Sequence, residues 1–113
     1  MHTVLVAGAT GYLGKYVVKA FKNRGFWVRV LARNEKKLRD LNGLYDDAFI
    51  GEVTVPATLI DCCKNIDLVF SSIGITRQKD KVTYRGVDYQ GNANLLKEAI
   101  ENRVSNGYIR QAL

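Results

Sequence analysis

The first fourteen residues constrain this chain more than any others. Thr3-Val-Leu-Val-Ala7 is a continuous apolar run led by β-branched residues, the pattern of a strand covered on both faces. Gly8, Gly11 and Gly14 follow at three-residue intervals, and an amphipathic segment begins among them. Strand, glycine turn and helix in that order are how a backbone wraps a pyrophosphate. Gly8 permits a tight exit from the strand, Gly11 lets the main chain approach a phosphate, and Gly14 allows close helix–strand contact. A helix beginning near Gly11 turns its free N–H groups and the positive end of its dipole toward the ligand. The rival reading is a glycine turn that binds nothing. No Lys-Ser/Thr follows the glycines, so the turn is not a mononucleotide P-loop.

Strand-like and helix-like segments then alternate to the end of the chain. A helix is expected over Tyr12–Asn23, with Leu13, Val17, Ala20 and Phe21 at helical spacing and Gly25 as its stop. Phe26–Ala32 reads as strand 2, and Asn34 caps a short helix over Glu35–Asn42. Ala48–Val53 reads as strand 3. A helix follows from Thr54-Val55-Pro56 through Leu59, Ile60 and Cys63 to about Ile66, with proline in its first turn. Asp67–Ile73 is strand 4, closed by Gly74, and residues 75–86 form a polar, basic loop. The last helix is expected from about Asp88 to Asn102, with Leu95, Leu96, Ala99 and Ile100 on one stripe.

This alternation implies right-handed crossovers and a parallel sheet. The expected architecture is a three-layer, doubly wound α/β fold of strand order 3-2-1-4, its ligand crevice at the carboxyl ends beside strand 1. Residues 1–113 are expected to form one domain with an atypical tail at 104–113, where a fifth strand is short or missing. That would leave one edge of strand 4 bare, an invitation to self-association.

Composition narrows the function. Residues 1–39 hold nine Lys or Arg and a single acidic residue, Glu35, within a net charge of +6. The charges are dispersed and have no aromatic stacking pattern beside them, so a phosphate-rich small ligand explains them better than nucleic acid. The two cysteines, Cys62 and Cys63, are adjacent and can close only a strained ring. They read as small apolar residues on a helix. His2 is the single histidine, which leaves neither a metal cluster nor a histidine-based triad. No stretch approaches the roughly 20 apolar residues of a membrane span, and the chain is expected to be cytoplasmic.

The context Val-Ala-Gly8-Ala-Thr10-Gly11-Tyr12-Leu13-Gly14 has the spacing Gly-x-x-Gly-x-x-Gly. It resembles the short-chain dehydrogenase/reductase superfamily, and more narrowly the atypical and extended branches that include NmrA-like proteins and sugar-nucleotide epimerases. The resemblance covers about residues 3–103. It implies a nicotinamide dinucleotide cofactor contacted by Gly8, Thr10, Gly11, Tyr12, Leu13 and Gly14.

Strand 2 ends in Val30-Leu-Ala-Arg33. An acidic residue there would accept hydrogen bonds from a ribose and repel a 2′-phosphate. Arg33 instead offers a bidentate partner to phosphate, and Lys36 or Lys37 adds charge. The family's NADP-preferring members carry an arginine at the matching place, so NADP(H) is expected over NAD(H). The competing reading of Arg33 is a solvated helix-entry residue. Gly51-Glu52-Val53 matches the family's element near adenine, with Glu52 where aspartate is usual. Ser72, Ile73 and Gly74 match the small residues that pass beside the cofactor ribose.

Val87-Asp88-Tyr-Gln-Gly91-Asn92-Ala-Asn94-Leu95-Leu96 resembles the family's helix element, with Asp88 for asparagine and Asn92 for threonine. Asp88 is expected to cap that helix. The family's Tyr-x-x-x-Lys pair has no counterpart, since none of the six tyrosines is followed four residues later by lysine. The resemblance therefore implies the cofactor half of an oxidoreductase with no catalytic residue of its own. Its rivals are a non-enzymatic NADP(H)-sensing regulator and an interaction module.

Overall fold

A computed structural model describes residues 2–10, 13–73 and 81–102, the stretch 81–89 by its backbone alone. The strands β1 (Thr3–Ala7), β2 (Trp27–Ala32), β3 (Asp47–Ile50) and β4 (Leu68–Ser71) pair in parallel in the order β3-β2-β1-β4. This is the α/β Rossmann-like topology expected from the alternation of elements.

The sheet is organised around β1, where Val4, Leu5, Val6 and Ala7 are all fully buried. Successive side chains of a strand point to opposite faces, so this run builds two cores. Val4 and Val6 pack with Val18, Val28, Val30, Leu38 and Leu41 on one face. Leu5 and Ala7 pack with Leu31, Leu59, Val69, Leu95 and Ala99 on the other. Helix α1 (Gly14–Asn23) and a 3-10 segment (Glu35–Leu41) cover the first face, while α2 (Lys81–Glu101) and residues 56–66 cover the second. Each fully buried Val or Leu contributes roughly 1.5–3 kcal/mol. Gly25 ends α1 at φ +83°, where a side chain would be strained.

Several elements differ from expectation. Helix α1 starts at Gly14 rather than near Gly11, and Ala20 faces solvent while Val18 takes the central buried place. Asn34 does cap the next segment, its Oδ1 accepting from the Lys37 N–H at 3.2 Å, but that segment is 3-10 rather than α-helical. Strand β3 stops at Ile50 because the Gly51 N–H makes the last bond toward β2 and the Glu52 N–H turns to the Thr58 hydroxyl. The expected strand 4 is trimmed to Leu68–Ser71.

The helix expected over 54–66 is only the 3-10 turn Pro56–Leu59. Asp61 and Asn65 adopt left-handed backbone at φ 69° and 62°, which no α-helix accommodates. Cys62 and Cys63 therefore lie in turns rather than on a helix, and both are fully buried. Their sulfurs are 3.7 Å apart. The shared contact pushes the Cys62 thiol up, with burial adding to it, while the same contact lowers Cys63 against its burial.

Helix α2 begins at Lys81, so residues 81–86 are helical rather than loop, and Asp88 sits inside the helix instead of capping it. Leu95 and Ala99 are buried, whereas Leu96 and Ile100 are 44% and 68% exposed, so the packing stripe is narrower than expected. The remainder of the expected loop, Gly74 and the tail at 104–113 lie outside the described residues. No described helix is long and apolar enough to cross a membrane.

Asp46 ties α1 to the start of the β2–β3 ladder. Its Oδ2 accepts from Lys22 Nζ and from the Val28 N–H, each at 2.8 Å. The Lys22 hydrogen bond, partly opposed by desolvation, holds the carboxyl below the ordinary value of 3.8, with the Val28 N–H assisting. A depressed folded value means the stabilisation is complete above 3.8 and is lost as pH falls through the lower folded value. Asp46→Asn should cost about 1 kcal/mol at pH 7, allowing for a partly exposed pair. Urea midpoints of variant and parent should converge as pH falls progressively below 3.8, and a constant gap would contradict this account.

Candidate functional site

The loops that leave the carboxyl ends of β1, β2, β3 and β4 enclose an open cleft of about 210 Å³. Its lining comprises Gly8, Thr10, Leu31, Ala32, Arg33, Gly51, Glu52, Val53 and Ile73. In an open parallel sheet this is where the connections diverge to opposite faces and leave a crevice.

Gly8 forms the floor of the turn. It holds φ +81°, and a Cβ there would lie 2.5 Å from Ser72 Oγ. Both the dihedral and the neighbour require glycine. Ser72, itself buried, donates to the Gly8 carbonyl at 3.1 Å and thereby fastens the exit of β1 to the exit of β4. Gly14 plays a different part from the one expected. A Cβ on it would overlap the Ala9 carbonyl, so it lets the start of α1 tuck beneath the turn rather than against a strand. Leu13 provides no side-chain cap and the first turn of α1 holds no acidic residue, which leaves the positive end of the helix dipole uncompensated by the helix itself.

Of the twelve residues expected to contact a cofactor, Gly8, Thr10, Arg33, Glu52, Val53 and Ile73 line the cleft together. Ser72 lies directly behind Gly8, while Leu13 and Gly14 belong to the start of α1 and not to the lining. Gly11, Tyr12 and Gly74 lie outside the described residues. Among the described residues, Arg33 and Glu52 are the only charged ones of the lining, with Arg33 Nε and Glu52 Oε2 4.0 Å apart.

Sequence reasoning did not identify the residues of α2 that support the cleft. Asn94 is nine-tenths buried and donates to the Val53 carbonyl at 2.7 Å. Asn92 Oδ1 accepts from Ser71 Oγ at 2.6 Å, and its Nδ2 reaches the Ile73 carbonyl at 3.5 Å. One turn of helix thus grips both the Val53 side and the Ile73 side of the opening. Gly91 makes this possible, because a Cβ there would stand 2.7 Å from Val53 Cγ2. The signal was present in Gly91-Asn92-Ala-Asn94, two amides and a glycine clustered within four residues of the expected helix.

Residues 8–107 match the NAD(P)H-binding family. The chain is similar to the photosystem II assembly factor Ycf39 of Synechocystis, 34% identical over 94 residues, covering 83% of this chain and 28% of that protein. It is similar in structure to UDP-N-acetylglucosamine 4-epimerase from Bacillus cereus, at TM-score 0.75 and 26% identity, covering 96% of this chain and 35% of that one. The Bordetella bronchiseptica enzyme WbmG in complex with NAD shares the fold, at TM-score 0.72 and 19% identity over 96% of this chain and 37% of that enzyme. The chain therefore spans about a third of the length of these relatives.

Replacing a mid-helix glycine by alanine ordinarily adds up to about 1 kcal/mol of stability. Gly91→Ala should instead lower it by about 1–2 kcal/mol, since β-branched Val53 cannot swing aside. In a Val53→Ala background the same change should become neutral or stabilising. Thermal or urea melts of the four proteins read this reversal of sign directly.

Proposed function

The chain belongs to the NAD(P)H-binding family, and from that membership we propose that the cleft holds NADP(H) in preference to NAD(H), as the cofactor half of a short-chain-reductase-like oxidoreductase. Arg33 carries this reading. Among the described residues it is the single cation of the lining, it follows directly on the end of β2, and its side chain is 62% exposed and open to a ligand. A guanidinium pairs bidentately with phosphate in a way that a ribose hydroxyl cannot match.

The residues present suit a dinucleotide. Gly8 leaves the turn without a side chain, Gly51 and Ala32 keep the neighbouring strand ends small, and Leu31, Val53 and Ile73 offer apolar surface. On this reading Gly8, Thr10, Gly11, Tyr12, Leu13 and Gly14 would hold the pyrophosphate region. Glu52 and Val53 would border the adenine, and Ser72, Ile73 and Gly74 would flank the ribose. When bound, the nicotinamide supplies hydride exchange with a carbonyl or alcohol carbon. The chain's own residues bind and orient, and no general acid–base pair is assigned to them.

A second reading draws on the name of the Synechocystis relative, an assembly factor. Here the same cleft senses NADP(H) without turnover. Steady-state assays with carbonyl substrates separate the two readings, since the enzymatic one requires that NADPH be consumed by the whole protein.

Titration should give NADPH binding about tenfold or more tighter than NADH binding. Arg33→Ala should weaken NADPH by about tenfold, equal to 1.4 kcal/mol, and leave NADH within about twofold. Equal or tighter NADH binding by the parent protein would refute the preference.

A further inference from the structure

Arg33 does not stand alone at the cleft. Glu52 faces it across the opening, with Oε2 4.0 Å from Nε, and among the described residues no other charged side chain lines the space. Glu52 is the more firmly braced partner. Its side chain is 35% exposed against 62% for Arg33, and its Oε1 accepts from Thr54 Oγ1 at 3.3 Å. Its N–H donates to Thr58 Oγ1 at 2.9 Å, and that hydroxyl in turn donates to the Val55 carbonyl at 2.7 Å. The carboxylate is thus held by a braced turn, while the guanidinium reaches toward it on a flexible stem.

We propose that Glu52 is the residue that limits discrimination between 2′-phosphorylated and unphosphorylated adenosine ligands, by competing for Arg33. The proposal rests on the cleft being the dinucleotide site argued above. A 2′-phosphate that engages Arg33 must displace the carboxylate and then sit beside it, two anions sharing one cation. A ribose bearing a free 2′-hydroxyl meets no such opposition. The Arg33–Glu52 pair therefore lowers affinity for the phosphorylated ligand and leaves the other nearly untouched. An exposed pair of this length is weak, so the effect is a graded loss of selectivity and not a block.

The test measures dissociation constants of NADPH, NADH, 2′,5′-ADP and 5′-ADP for the parent, Glu52→Gln, Arg33→Ala and the double variant. Glu52→Gln should tighten NADPH and 2′,5′-ADP by about three- to tenfold and change NADH and 5′-ADP by less than about twofold. The gain should disappear in the Arg33→Ala background and shrink as salt rises toward 1 M. Glu52→Asp, which keeps the charge but withdraws it by one methylene, should give an intermediate gain and guards against a folding defect in the amide variant. An unchanged NADPH:NADH ratio in Glu52→Gln, or a gain that persists without Arg33, overturns the proposal while the cofactor site stands. Failure of the folded parent protein to bind either dinucleotide overturns both.

Discussion

Everything in this fold follows from the need to hide β1 from water on two sides at once. Val4 to Ala7 leave no exposed surface, and a strand buried on both faces must have elements laid over each. Parallel pairing to β2 and to β4 meets the strand's own hydrogen bonds, so covering elements must come from the crossovers. Consecutive crossovers that pass to opposite faces diverge just beyond the carboxyl ends. The cleft is the space left by that divergence, and Gly8 stands at its centre because β1 does.

The parts of the structure legible in the sequence are those where burial speaks through pattern. The apolar run at Thr3–Ala7, the aromatic and β-branched run into Ala32 and the glycine after α1 each report one local requirement, and each is met where expected. The strand order follows from the alternation of elements. The departures lie where tertiary contacts outweigh local preference. Residues 54–66 have a helix's composition, yet Asp61 and Asn65 enter left-handed backbone and bend the segment around the buried thiols instead. Residues 81–87 contain a glycine and three β-branched residues, all weak helix formers, so local preference does not announce that α2 already runs there.

The cleft was legible in the same uneven way. Arg33 and Gly8 stand out because strand ends and glycine turns have positional meaning. The assembly of Arg33 with Glu52, residues nineteen positions apart on separate loops, depends on β2 and β3 lying side by side, and only the paired strands bring them within 4.0 Å. The grip of Asn92 and Asn94 was hidden for a related reason. An asparagine on a helix reads as solvated until its partner carbonyls, here Ile73 and Val53, are placed opposite it.

The loop after β3 has four of its backbone groups already engaged. The Gly51 N–H goes to Ala32, the Glu52 N–H to Thr58, the Glu52 carbonyl receives Val55, and the Val53 carbonyl receives Asn94. Much of what this rim presents to a visiting molecule is therefore side-chain chemistry resting on a main chain braced from within. Such a rim can exchange one side chain for another without unravelling, so ligand preference at this edge can drift through substitution while the scaffold beneath it keeps its shape.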